Sequence, residues 1–303
     1  MKIGILIYSR PKETEASNTN VARLIEAGVA AGHTVEVLYE ALLSFHQHEE
    51  LEVRYETSTL KQFDVIINRP NFTEEPTLHT LTMELLAKAG FHLVNGHLSV
   101  YLTKNKLHQH AVFATADIPC PRWSVVFGPE GVLAATEAIE FPLVAKVAFG
   151  THGKGVFYAE NLRTLKPIVD YLCVRDENPV ILERFIAEAQ HSDVRALVVG
   201  GKVIASMERK AMYGDFRANI GSGGSGTKAI LTEQETRVVL QATHAFHLEI
   251  CGVDFIRSHQ GPLVLEVNAN PGFEELERVT GVDVAAAIIA YAIQSLGLDH
   301  SIK

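Results

Sequence analysis

Residues 251–272 read Cys251-Gly-Val-Asp-Phe-Ile-Arg-Ser-His-Gln-Gly-Pro-Leu-Val-Leu-Glu-Val-Asn-Ala-Asn-Pro-Gly272, two apolar runs around a short polar turn. With the turn centred on Gln260, Asp254 stands opposite Glu266 and Gly252 opposite Asn268. The two-residue period of a strand puts Asp254, Glu266 and Asn268 on one face, and Val253, Phe255, Leu265 and Val267 on the other. Opposed side chains have Cβ atoms about 5 Å apart. Two carboxylates at about 5 Å repel by roughly 3 kcal/mol at an effective dielectric of about 20. A divalent cation removes that cost. Two carboxylates and an amide oxygen are hard ligands, too few to cage calcium. They suit magnesium, which keeps waters and completes its shell with phosphate oxygens. A solvated hairpin face with scattered charges is the plainer alternative. Asn270-Pro271-Gly272 ends the second strand, which leaves the three ligands near a strand end.

Upstream, Val194–Val199 and Lys202–Met207 flank Gly200-Gly201, a two-residue turn that glycine permits. A Gly/Ser loop (Gly221–Gly226) and a helix over Glu233–His247 separate the two hairpins, and a helix over Val282–Leu296 follows the second. Arg195, Arg209 and Arg217 form a basic set in this region, and a guanidinium fork matches phosphate or carboxylate oxygens. For each of them an ordinary salt bridge is the bland reading.

Earlier still, Gly150-Thr-His-Gly-Lys-Gly155 joins two strands. It is no P-loop, since no Gly-Lys-Ser/Thr opens a helix. Its glycines Gly150, Gly153 and Gly155 could offer backbone N–H groups to phosphates, or merely make a flexible turn. Lys146 shifts that balance. It lies in the apolar strand Leu143–Ala148, where a bare ammonium is expensive and a bound phosphate would offset the cost. Lys106, on an expected helix over Tyr101–Thr115, is a second candidate. Glu183-Arg184-Phe185-Ile186 ends the strand Val180–Ile186 and could present backbone groups to an adenine edge, with Asp193 in reach of a ribose hydroxyl. A strand running into a salt-bridged loop is the competing reading.

The first hundred residues alternate strand and helix: Ile3–Tyr8, Val21–Ala31, Thr34–Tyr39, Asp64–Arg69, Leu78–Lys88 and His92–Asn95. That order implies a parallel sheet covered by helices. Glu40–Gln62 is long and polar, a surface loop or an extra small element. The expected division is therefore 1–98, 99–186 and 187–303, α/β followed by two α+β modules.

The 303 residues, 47% hydrophobic and 21% charged, match an ordinary globular chain. With 27 basic and 36 acidic residues the net charge is −9, which argues against nucleic acid or an anionic membrane as partner. Cys120, Cys173 and Cys251 lie far apart and form no metal-ligand spacing, so buried reduced thiols are expected. Val284–Ile293, the longest apolar run, is about half a membrane span. A cytoplasmic location is expected. His46, His48, His108 and His110 lack supporting ligands and are expected on the solvated surface.

These residues resemble the ATP-grasp superfamily and, within it, the RimK-like α-L-glutamate ligases. The resemblance runs from about Leu98 to Leu296. Gly214-Asp-Phe-Arg-Ala-Asn219, Ala187-Glu-Ala-Gln190 with Asp193 and Arg195, and Glu266-Val-Asn-Ala-Asn-Pro-Gly272 carry it, together with Glu277-Arg-Val-Thr-Gly-Val-Asp-Val-Ala285. It implies an ATP-grasp fold: an N-terminal parallel-sheet (pre-ATP-grasp) domain and two α+β modules that clasp ATP. By matching position Lys106 and Lys146 would hold phosphates, Glu183 to Ile186 the adenine, and Asp193 the ribose or an adjacent group. Arg217, Ala218 and Asn219 would line the active site. Asp254, Glu266 and Asn268 would bind two magnesium ions, with manganese able to substitute.

The implied reaction has two steps. An acceptor carboxylate takes the γ-phosphoryl group of ATP, giving ADP and an acyl phosphate, and the amino group of L-glutamate then displaces phosphate. Arg209, Lys146 and Arg217 would act on the transferring group. The acceptor would be a protein C-terminus, a small acid or glutamate itself, and Arg10, Arg69 and Arg195 could meet its carboxylate. A dimer or tetramer is expected. Three departures stand out. Asn105 precedes Lys106 where many members have Asp. The hinge reads Glu-Arg-Phe where a close relative would have Gln-Glu-Tyr. Gly221-Ser222 stands where some members are basic. A LysX-like amino-acid ligase acting on a carrier protein is an alternative, mildly disfavoured by the shared negative charge. A non-catalytic ATP-binding regulatory module is another, and the intact ligand set argues against it.

Overall fold

A computed structural model describes residues 1–9, 19–72, 77–148, 155–175, 178–211 and 225–298. It begins with β1 (Lys2–Ile7), helix α1 (Thr19–Ala30) and β2 (Thr34–Tyr39). The polar connection that follows is a small antiparallel sheet of β3 (Leu43–Gln47), β4 (Leu51–Tyr55) and β5 (Ser58–Thr59). Then come β6 (Val65–Arg69), α2 (Thr77–Lys88) and β7 (Leu93–Val94), and the main strands pair in parallel in the order β2-β1-β6-β7. Ile3, Ile5 and Ile7 pack with α1 on one face of this sheet while Leu6 and Ile66 enter a second core on the other. Burial on both faces is what a parallel sheet demands.

The next elements are α3 (His97–Lys104), α4 (Lys106–Thr115), β8 (Trp123–Val126), α5 (Val132–Ala138), β9 (Leu143–Val147), β10 (Val156–Ala159), α6 (Leu162–Val169) and β11 (Val180–Arg184). Their four strands form an antiparallel sheet ordered β10-β9-β11-β8. The single helix expected over Tyr101–Thr115 is two. Asn105 is extended (φ −111°, ψ 117°) and its side chain accepts the Leu107 N–H, so it caps a new helix rather than continuing the old one. Lys106 thereby becomes the first residue of α4. Helix α6 leaves α-geometry at Val169 and the chain continues as a π-turn over Asp170–Arg175, with Pro167 removing a donor inside the helix.

The remaining elements are β12 (Ser192–Val199), β13 (Lys202–Lys210), β14 (Ser225–Lys228), α7 (Glu233–Ala245), β15 (Ile250–Ser258), β16 (Gly261–Asn268), α8 (Glu274–Thr280) and α9 (Val284–Gln294). The antiparallel order is β14-β13-β12-β15-β16. Gly200 and Gly201 take φ of 58° and 71°, and a Cβ on Gly200 would lie 2.4 Å from the Tyr291 ring, so the turn needs glycine there on both counts. β14 and α8 have no counterpart in the sequence-based assignment.

The N-terminal sheet is tied to the last one. Arg23 on α1 pairs with Glu277 at 3.0 Å and Asp283 at 3.2 Å, and Leu24 shares a core with Ile288. Buried Asn95 accepts the Glu249 and Ile250 N–H groups and donates to the Ile250 and Ala269 carbonyls. That side chain anchors the backbone beside Asn268. Among the described residues no single helix is long and apolar enough to cross a membrane.

Candidate active site

Asp254 pairs with Glu266 and Gly252 with Asn268 in the β15–β16 hairpin. The simple reflection through Gln260 fails nearer the turn. The register shifts after Asp254, Phe255 faces Val264, and Ser258 faces Gly261. Leu265 is the extra residue of this bulge, so it is only half-buried while Val264 takes the fully buried core place.

β12 lies between β13 and β15, with Arg195 opposite Asp254 and Asp193 opposite Arg209. The same-face alternation therefore gathers two carboxylates and two guanidinium groups. Arg195 grips Asp254 with two bonds of 2.7 and 2.6 Å. Arg209 holds Asp193 at 2.6 and 2.8 Å and reaches Asp254 at 2.8 Å. Burial pushes the Asp193 carboxyl up, against the pull of Arg209 and with help from nearby Asp254. Burial also opposes the Arg209 charge, but Asp254 and Asp193 raise its pKa on balance.

Helix α4 lies against this sheet and meets its last strand. Lys106 Nζ is 2.8 Å from Glu266 Oε2, and Asn268 Nδ2 donates to Glu266 Oε1 at 2.9 Å. The Lys106 ammonium, overcoming the burial cost, holds the Glu266 carboxyl well below the usual carboxylate range. One turn further along α4, buried Gln109 accepts the Val267 N–H at 2.8 Å and donates to the Val267 carbonyl at 3.2 Å. It fixes the backbone between Glu266 and Asn268. The N-terminus of α4 is pinned in turn by the Lys106 N–H to the Ala148 carbonyl, 2.9 Å.

Lys146 is not bare in its apolar strand. Ile181 faces it across the β9–β11 pair, and Glu183 lies two residues on, a diagonal neighbour on the same face. Lys146 Nζ is 2.6 Å from Glu183 Oε2. His110 Nε2 lies 2.9 Å from the other carboxylate oxygen. Burial alone would raise this carboxyl, but Lys146 and His110 outweigh it and hold it at about 2. The phosphate invoked to offset the cost of Lys146 thus already has a protein counterpart in Glu183.

Two expectations are corrected here. His110 is 3% exposed, not on the solvated surface, because α4 aims it inward at Glu183. His108 is half-buried against the Tyr101 ring, 4.7 Å between centroids. The Glu183 side chain points into the core, while the hinge expectation concerned its backbone. Of that hinge, the Arg184 side chain lies near the surface, 3.7 Å from Glu140, and the Phe185 N–H donates to the Pro142 carbonyl. Phe185 meets the Tyr158 ring edge-on. Gly155 has φ of 75° and its carbonyl accepts the Val147 N–H. Arg10, Gly150, Gly153, Arg217, Ala218 and Asn219 lie outside the described residues.

Arg69 ends β6 and is 6% exposed. It donates to the Pro271 carbonyl at 3.0 Å and lies 5.5 Å from the Phe273 ring centroid. Burial lowers its pKa to about 10, and among the described residues no carboxylate pairs with it. The structure thus brings the N-terminal sheet to the Asn270-Pro271-Gly272 corner. Gln109, His110 and Asn95 are the site-building residues that sequence reasoning passed over. A signal existed for one pair: Glu183, like Lys146, ends an apolar strand run, and two buried opposite charges call for each other.

The family model of the RimK-like ATP-grasp domain matches residues 103–292, more than half of the chain. The chain belongs to the RimK-like ATP-grasp family. A probable alpha-L-glutamate ligase of Maridesulfovibrio salexigens is 35% identical over 295 residues, 96% of this chain and 95% of that protein. A ribosomal protein bS6–L-glutamate ligase of Shigella boydii is 31% identical over 306 residues, 100% of this chain and 99% of that protein. The solved ATP-grasp ligase PsnB, in complex with a minimal precursor, Mg and ADP, shares the fold: TM-score 0.71, 17% identity, 97% of each chain covered. This RimK-like ATP-grasp protein is an ATP-dependent carboxylate–amine ligase. ATP-grasp ligases use ATP and magnesium.

The residues present fit a magnesium ion. Asp254, Glu266 and Asn268 supply hard oxygen donors on one face of the hairpin. Two residues beyond, Asn270 Oδ1 is buried with no hydrogen-bond partner among the described residues. An acceptor oxygen left so, two residues past the end of β16, is consistent with a cation at this strand end.

Proposed function

We propose that this ligase joins the amino group of L-glutamate to a carboxylate of a protein acceptor, with ADP and phosphate as the other products. The observation that carries the reading is a set of charged pairs held together by α4 and the β15–β16 hairpin. It runs from Lys146 through Glu183 and His110 to α4, from Lys106 to Glu266, and across the hairpin to Asp254, Arg195, Arg209 and Asp193. Such a set is suited to nucleotide phosphates, because Lys146 and Lys106 can turn from their carboxylates to incoming oxygens while Arg209 is held in place.

Asp254, Glu266 and Asn268 would hold magnesium, which when bound neutralises charge on the phosphate oxygens. Lys146 and Lys106 orient the phosphates. Arg209, fixed by two carboxylates, stabilises the transferring phosphoryl group without needing to reorganise. Arg195, bound to Asp254, positions that carboxylate rather than meeting the acceptor. Arg69 is the acceptor candidate best supported, since among the described residues its buried fork retains donors beyond the bond to Pro271. The acceptor carboxylate attacks the γ-phosphate, and the glutamate amine then displaces phosphate from the acyl phosphate. The names of the two curated relatives support glutamate as donor, and the bS6 ligase supports a protein as acceptor.

The test is to incubate the protein with ATP, magnesium, glutamate and ribosomal protein bS6, and to read intact masses. Increments of one glutamate residue, dependent on ATP, are expected. ADP release driven only by a different amino acid would refute the glutamate assignment.

A further inference from the structure

His110 sits where both ring nitrogens face acceptors. Nδ1 is 2.7 Å from the Lys106 carbonyl oxygen, one turn back on α4. Nε2 is 2.9 Å from Glu183 Oε1 on β11. A carbonyl oxygen can only accept, and Glu183 is a carboxylate that also takes a bond from Lys146. A neutral imidazole has one N–H and would leave one of these contacts acceptor to acceptor. Both are satisfied only when both nitrogens carry hydrogen. The ring is otherwise enclosed by aromatic groups, the Trp123 edge at 5.1 Å and Phe113 at 5.7 Å, so water has little access. The charged and titratable groups around it are Glu183 from β11, Lys146 from β9, Lys106 from α4, and Cys120 just before β8.

We propose that His110 is a positioning residue, an imidazolium clamped between the Lys106 carbonyl and the Glu183 carboxylate, that sets Glu183 and through it the Lys146 ammonium. The proposal rests on the reading above in one respect, that Lys146 serves ATP. With His110 charged, Glu183 faces two cations for one negative charge, which leaves Lys146 positive charge to spare for a phosphate. Without His110, the Glu183 charge falls wholly on Lys146 and holds that ammonium back. A Glu183→Gln replacement would then release it, because a neutral amide makes no such claim.

Two measurements test this. In the folded protein, the ring-nitrogen NMR shifts of His110, assigned by comparison with His110→Met, should both be those of a protonated nitrogen at neutral pH. One unprotonated nitrogen overturns the clamp. In steady-state kinetics, His110→Met should raise the ATP KM by about tenfold or more with a smaller change in kcat. The double variant His110→Met/Glu183→Gln should recover most of that loss. A double variant as impaired as the single one overturns the positioning role and leaves His110 as a packing residue. The two readings fail separately. An ATP KM unmoved by Lys146→Met would sink the phosphate assignment, whereas the NMR result judges the clamp whatever Lys146 does.

Discussion

Lys106 reaches from the first turn of α4 to Glu266 on β16, 2.8 Å from ammonium to carboxylate. That contact joins the two halves of the site, the lysines on one side and the opposed carboxylates Asp254 and Glu266 on the other. Gln109 on the same helix then holds the strand in register. α4 is the element that connects them.

Replacing Gln109 by Leu should therefore disturb the site without touching any ligand directly. It leaves the Val267 N–H buried and unpaired, a cost of about 1–3 kcal/mol. The shift of Glu266 and Asn268 that follows should lower kcat about tenfold or more. Thermal unfolding and steady-state rates measured together check both parts. A destabilised enzyme with unchanged kcat would detach Gln109 from the site.

Lys146→Met should leave the buried Glu183 carboxylate with the His110 imidazolium as its partner and cost about 1–3 kcal/mol of stability. Adding Glu183→Gln should cost further, because the His110–Glu183 pair is then broken as well. ATP affinity should stay weak in both variants if Lys146 binds phosphate. Urea unfolding and nucleotide titration of the same preparations separate the two effects.

Acid should unfold the protein partly through Glu183. Its carboxyl lies at about 2 in the folded chain against an ordinary value of 4.5. The unfolded chain therefore binds more protons between those values, and stability present above about 4.5 is lost as pH falls toward about 2. Glu266, also depressed, acts in the same direction. Urea midpoints from pH 5 downward should fall more steeply in the wild type than in Glu183→Gln. Parallel curves would mean that Glu183 is not held as described.

Arg69→Ala should raise the KM for the protein acceptor about tenfold or more and leave the ATP KM unchanged. Arg69→Lys should restore little, since an ammonium cannot reproduce the planar fork. Glutamate incorporation into bS6 at varied acceptor concentration provides the readout. A change confined to the ATP KM would move Arg69 from the acceptor to the nucleotide.

The sequence disclosed the Asp254–Glu266 opposition because strand period and like charge both constrain it. It could not disclose the bulge at Leu265, since one extra apolar residue among apolar residues leaves no mark on the pattern. Lys146 stood out as a charge in an apolar run, but its partner Glu183 is 37 residues away and belongs to a strand read for its backbone. His110 was harder still. Its spacing from Lys106 places it one helical turn away, yet its second partner lies 73 residues on. The break at Asn105 was readable in principle, as an Asn before a new helical run, and was hidden by the helical pattern on both sides.

The central claim is that the hairpin carboxylates serve the phosphates of ATP through magnesium. ADP release by Glu266→Gln, with ATP, magnesium, glutamate and bS6 supplied, tests it most directly. The account predicts a fall of about a hundredfold or more with circular dichroism unchanged. Near-normal ADP release from a folded Glu266→Gln protein would contradict it.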